Sequence, residues 1–114
     1  MLKRLEVNSL AIINRTEVNF GPGLNVLTGE TGAGKSILMD ALSLLLGGRA
    51  SNELIRSGCD HLLVTALWSD ETTCSRRIST TGKTTARLDG EIVTLRELSA
   101  NFSRRLSLHG QHAA

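Results

Sequence analysis

Residues 29–36 read Gly29-Glu30-Thr31-Gly32-Ala33-Gly34-Lys35-Ser36 and fit the pattern G-x-x-x-x-G-K-[ST]. Each residue type in that pattern has a physical role. The glycines permit backbone angles that turn successive N–H groups toward one phosphate. A helix opening near Lys35 would add its unpaired N–H groups and the positive end of its dipole. Lys35 supplies a mobile full charge for the β- and γ-phosphates, and the Ser36 hydroxyl is the expected ligand of Mg²⁺. Gly29, Thr31, Gly32, Ala33 and Gly34 line the cradle with backbone. Glu30 is out of place beside a polyanion, and it is expected to point away, toward solvent or a partner.

Other chemistry-bearing residues are more scattered. His109 and His112 flank Gln111, a spacing that could hold a metal, but no cysteine or further ligand is near. Asp40 lies four residues after Ser36 and is expected to bond along its own helix face. Arg76-Arg77 and Arg104-Arg105 could meet DNA or stay solvated; no aromatic residue is interleaved with them. Trp68 is expected to pack on a sheet. Cys59 and Cys74 are read as reduced, structural thiols.

The elements that would position these residues follow from periodicity. Leu2–Leu10 has Leu5 and Val7 two apart, a strand with one buried face. A second short strand is expected at Glu17–Phe20, and Gly21-Pro22-Gly23 marks a turn. Leu24–Thr28 reads as a third, interior strand leading into the glycine motif. Ile37–Leu46 is apolar except for Asp40 and Ser43, which continue a polar stripe from Ser36 down an otherwise buried helix. Gly47-Gly48 ends it.

Downstream, Ser51–Ile55 suggests one helical turn. His61–Trp68, Ser75–Ser79 and Thr84–Asp89 read as strands, with Asp89-Gly90 turning into Ile92-Val93. Residues 61–93 thus form a small antiparallel sheet beside the phosphate-binding part. Thr94-Leu95-Arg96-Glu97 is a capping box, opening a helix with Leu95, Leu98 and Phe102 on one face. Leu106-Ser107-Leu108 is expected to be a last short strand.

Composition bounds the rest. The chain has 114 residues, 40% hydrophobic and 3% aromatic, so its core must be aliphatic and single. Residues 1–57 carry six Lys/Arg against five Asp/Glu, and residues 58–114 seven against six, so no basic region announces nucleic acid. Nothing resembles an export signal, and no apolar run reaches the roughly 18 residues of a membrane span. The expectation is a cytoplasmic protein with no membrane partner. Complete nucleotide-hydrolysing domains usually need more chain than this.

A small kinase places such a loop directly after its first strand, whereas here about twenty residues of hairpin-like sequence precede it. That order is typical of the ATP-binding-cassette and chromosome-maintenance (SMC-like) ATPases. Leu5-Glu6-Val7-Asn8-Ser9-Leu10-Ala11-Ile12-Ile13, the run Phe20–Ser36, and Ile37–Leu42 leading to Leu45-Leu46-Gly47-Gly48-Arg49-Ala50 resemble the bacterial RecN family. The Glu-Thr-Gly-Ala version of the loop favours that family over generic heads. Arg76-Arg77-Ile78, Gly82-Lys83 and Leu88-Asp89-Gly90 resemble its small sheet, and Leu108-His109-Gly110-Gln111-His112 resembles its Q-loop.

The resemblance implies an α/β P-loop NTPase fold, as the N-terminal lobe of a head whose other lobe lies beyond a coiled coil. It implies ATP and Mg²⁺ as cofactors, a role in recombinational repair of DNA double-strand breaks, and DNA and a second head of a homodimer as partners. Gln111 would be the glutamine that reaches the metal and the attacking water, beside Lys35 in catalysis and Ser36 at the metal; His109 and His112 would shape or gate its loop. The expected organisation is one incomplete lobe over 1–114. Within it, 1–48 holds the hairpin, loop and helix, 61–93 the sheet, and 94–112 the helix, strand and Q-loop.

The sequence has no heptads, no Leu-Ser-Gly-Gly-type signature and no apolar strand ending in Asp-Glu. The chain by itself is therefore expected to bind ATP without hydrolysing it. Two other readings stay open: a head fragment of another cassette or chromosome-maintenance ATPase, and a small P-loop phosphotransferase with its own catalytic carboxylate.

Overall fold

The computed structural model describes residues 1–20 and 32–108, with side chains described for 1–20 and 36–107. Strands β1 (Leu2–Leu10) and β2 (Ile13–Asn19) come first, then helix α1 (Gly32–Leu45). A single 3-10 turn, Asn52–Leu54, leads to β3 (His61–Trp68), β4 (Thr73–Ser79), β5 (Thr84–Leu88) and β6 (Glu91–Val93). Helix α2 (Leu95–Leu108) follows.

Among the described residues, six strands make one sheet in the order β2-β1-β3-β4-β5-β6, each pairing antiparallel. The sequence reading gives residues 61–93 a sheet of their own. In the structure β1 pairs with β3, Val7 opposite Val64, so the N-terminal hairpin extends that sheet. Residues 24–28, expected as an interior strand, lie outside the described residues.

One face of the sheet is apolar and carries both helices, as antiparallel sheets commonly arrange. Leu62, Val64, Ala66 and Trp68 alternate onto that face from β3. In β1 the alternation is adjusted twice. A register shift between Leu2 and Arg4 lets Leu2 and Leu5, three apart, both be buried. Ser9, at φ 59°, does the same for Val7 and Leu10. The 3-10 turn is tied to this end of the strand, with Ala11 N donating to Leu54 O at 2.7 Å and Arg56 N to Ser9 O at 2.8 Å.

β2 is longer than the expected Glu17–Phe20 because Ile13, Arg15 and Thr16 also pair with β1. Its outer edge is charged: Arg15 bonds Glu6 and sits near Glu17, which also faces Arg4. Such charges discourage pairing with another strand. Asp89 (φ 52°) and Gly90 (φ 90°) both take the left-handed conformation that a two-residue hairpin turn requires.

The expected strand at Leu106–Leu108 is instead the last turn of α2. The alternation of leucine and serine there suggests a strand, but Leu95, Leu98, Phe102 and Leu106 recur at helical spacing. All four pack on the core, with Leu98 and Phe102 fully buried. The capping box starts this helix: Glu97 N donates to Thr94 Oγ1 at 3.1 Å and Thr94 N to Glu97 Oε1 at 3.0 Å.

Candidate functional site

The described part of α1 already runs from Gly32, inside the glycine motif and ahead of the apolar run that opens at Ile37. Its first turn contains no acidic side chain. Ile37, Leu38, Ala41, Leu44 and Leu45 bury one face against the sheet. Ser36, Asp40 and Ser43 lie exposed along the opposite face, so the expected polar stripe is real. Met39 and Leu46 are exposed beside it, which makes that face broader than a narrow stripe.

Gly29, Glu30 and Thr31 lie outside the described residues, as do His109, Gly110, Gln111 and His112. Gly32, Ala33, Gly34 and Lys35 are placed by backbone only, as the first four residues of α1. Ser36 is thus the member of the expected site whose side-chain exposure is known.

The C-terminal end of α1 is held by an unusual set of partners. Gly47, at φ 93°, closes the helix in a Schellman arrangement. Gly48 N donates to Ser43 O at 2.8 Å and Gly47 N to Leu44 O at 3.1 Å. Arg76 reaches in from β4. Its Nη1 donates to Leu44 O at 2.9 Å and to Gly48 O at 2.7 Å, and its Nε to Thr84 Oγ1 at 2.9 Å. Arg76 is only 4% exposed, and burial draws its pKa below the ordinary guanidinium range. It remains a cation, and it meets the negative end of the helix dipole. Ser99 Oγ, on α2, donates to Leu46 O at 2.7 Å.

The arginine pairs therefore split. Arg76 and Arg105 face inward, while Arg77 and Arg104 are exposed. The signal for Arg76 was present in the alternation Cys74, Arg76, Ile78, which puts all three on the core face. Arg105 lies over the Trp68 ring, 5.1 Å from its centroid, and 3.4 Å from Asp70 Oδ2. Trp68 packs on the sheet as expected and meets Phe102 with ring centroids 5.4 Å apart.

Asp70-Glu71 is an acidic pair one residue beyond the apolar strand β3. Both residues belong to the turn into β4. Asp70 accepts from Thr72 N at 3.1 Å and Thr72 Oγ1 at 2.6 Å, and Glu71 faces Lys3 at 3.6 Å. The two bonds from Thr72, with Arg105 behind them, hold the Asp70 carboxyl down at about 2. Cys74 is buried, and desolvation pushes its thiol up to about 11, an inert state at neutral pH. Cys59 is half-buried and also unpaired as a thiol. Among the described residues, no cluster of three or more His, Cys, Asp or Glu could hold a metal ion. Among them, too, no helix is long and apolar enough to cross a membrane.

A family model described as an AAA domain matches residues 4–111. The DNA repair protein RecN of Deinococcus radiodurans is 52% identical over 118 residues, covering 99% of this chain and 21% of that protein. RecN of Bacillus subtilis is 42% identical over 132 residues, covering 98% of this chain and 23% of that protein. The chain thus spans under a quarter of the length of these curated relatives.

Among solved structures, a chain from work on ATP-driven dimerization and DNA-stimulated activation of SMC ATPases superposes with a TM-score of 0.73. It shares 25% identity, over 87% of this chain and 75% of that one. The recombination mediator protein RecF gives 0.74 at 22% identity, over 86% and 29%. The SMC head domain from Thermotoga maritima gives 0.69 at 21%, over 88% and 41%. The last two likenesses concern the fold alone.

Proposed function

The chain belongs to the AAA-domain family, and from that membership we propose that it is the ATP-binding N-terminal part of a RecN-type head ATPase. The intact protein acts in recombinational repair of DNA double-strand breaks. The observation that carries the reading is that α1 already includes residues 32–36 of the glycine-lysine motif. Backbone N–H groups at a helix start are free to bind phosphate oxygens, and the dipole favours negative charge there. The residues present fit such a group: the first turn of α1 carries no carboxylate, and Ser36 is exposed.

In this reading the backbone from Gly29 to Gly34 cradles the phosphates, with Glu30 turned away. Lys35 offsets charge on the β- and γ-phosphates. Ser36 and Gln111 would hold the metal, and Gln111 would also orient the attacking water. Mg²⁺ held there would supply positive charge against the phosphates during transfer. A C-terminal lobe and a second head of a homodimer complete the catalytic set. DNA is met through the intact protein, which is cytoplasmic and associated with the nucleoid.

The test is titration calorimetry of the intact protein with ATP and Mg²⁺. Wild type binds, and Lys35→Ala abolishes the heat signal while remaining folded. Equal affinity in the variant overturns the reading.

A further inference from the structure

We infer that Arg76 and Ser99 are positioning residues for the nucleotide. They act through α1, by clamping the end of the helix opposite the phosphate motif. This inference rests on the reading that the N-terminal end of α1 binds phosphate.

Three carbonyl oxygens at one helix end, those of Leu44, Leu46 and Gly48, are taken by side chains from two other elements. A helix end needs partners for its last carbonyls, but water or the Schellman bonds alone would serve. Here a buried cation from β4 has been brought to them. Burying a guanidinium is costly unless its donors are all used. Arg76 has its contacts fixed from two sides: Thr84 Oγ1 aims the Nε, and the helix end receives the Nη1. A leucine at this position would have satisfied the alternation of β4 more simply.

The second clamp is equally close. A Cβ added at Gly47 would lie 3.1 Å from the Cβ and Oγ of Ser99, so α2 touches the helix turn with no space between. The C-terminal end of α1 is therefore fixed to the sheet by Arg76 and to α2 by Ser99.

A rigid helix transmits the setting of one end to the other. Fourteen residues span about 21 Å, and a tilt of about 5° about the anchored end moves the other by about 2 Å. Displacements of about 1 Å at a phosphate-positioning group can cost about a hundredfold in function. The burial of Ile37, Leu38, Ala41, Leu44 and Leu45 limits how far α1 can lift from the sheet. It leaves rotation and tilt along the sheet to the clamps.

The experiment compares ATP affinity with stability in the intact protein, using Arg76→Met, Arg76→Lys and Ser99→Ala. Affinity is measured by calorimetry on protein shown to be folded by circular dichroism, and stability by urea midpoint. A role confined to stability lowers the midpoint and leaves the affinity of folded protein unchanged. The positioning role predicts a loss of about tenfold in ATP affinity for folded Arg76→Met. Arg76→Lys, which keeps a cation facing the helix end, recovers part of that loss. Ser99→Ala loses about threefold.

Folded Arg76→Met with wild-type affinity overturns the inference. Should that variant not fold, Ser99→Ala decides alone: a loss supports the clamp, and wild-type affinity overturns it. Failure of the wild type to bind ATP instead overturns the nucleotide reading beneath it.

Discussion

The guanidinium of Arg105 lies 5.1 Å from the centroid of the Trp68 ring, joining the last turns of α2 to the end of β3. Trp68 is 1% exposed and meets Phe102 on its other contact, so the cation closes an aromatic cluster. Arg105→Met keeps the aliphatic stem and removes the charge. The expected loss is about 0.5–2 kcal/mol, the range for a cation over a partly desolvated ring. Urea unfolding followed by the fluorescence of the single tryptophan measures it. A midpoint identical to wild type contradicts the assignment.

Acid should loosen the same corner. Hydrogen bonds from Thr72 hold the Asp70 carboxyl at about 2, below its ordinary 3.8, and Arg105 adds to them. A depressed carboxyl stabilises the fold above its unfolded pKa, and that contribution is lost as pH falls through the folded value. The loss should therefore run from about pH 4 down to about pH 2. Asp70→Asn should flatten the stability curve in that window alone. A pH series of urea midpoints for both proteins checks this.

Helix α2 depends on its capping box. Thr94→Ala removes the hydroxyl that receives Glu97 N and that donates to Glu97 Oε1, leaving only the bond from Thr94 N to Glu97 Oε1. The expected cost is about 1 kcal/mol. Amide exchange should rise first in the opening turn of α2, and uniform exchange across the chain would count against a local cap.

Residues 1–114 alone should release no phosphate from ATP above background. The acidic pair that follows the apolar strand β3 is committed to its turn, through Thr72, Arg105 and Lys3. Adding a separately produced C-terminal head lobe should restore turnover in a phosphate-release assay. Steady hydrolysis by residues 1–114 without it would refute the division of labour.

Much of this architecture is legible before any coordinates. Two-residue alternation marks β3, and the Thr94–Glu97 spacing marks the start of α2, because both signals are local. The joining of the N-terminal hairpin to residues 61–93 is not local: β1 and β3 are separated by α1, and no neighbouring residues record their pairing. Leu106–Leu108 misleads because three residues cannot distinguish a strand from a helix whose period was set eleven residues earlier. Arg76 is the instructive case. Beside Arg77 it looks like a solvated pair, yet the parity of β4 already turns it inward. Two of its partners are the carbonyl oxygens of Leu44 and Gly48, which no side-chain sequence displays.

The hairpin turns bear on how chain length can vary. At Gly82 and Gly90 an added Cβ would meet nothing within 4 Å. Extra residues at such tips cost only loop-closure entropy, about 0.6 kcal/mol per doubling of loop length. The six-strand register, set by the side chains on its buried face, can thus persist while the connections between strands lengthen.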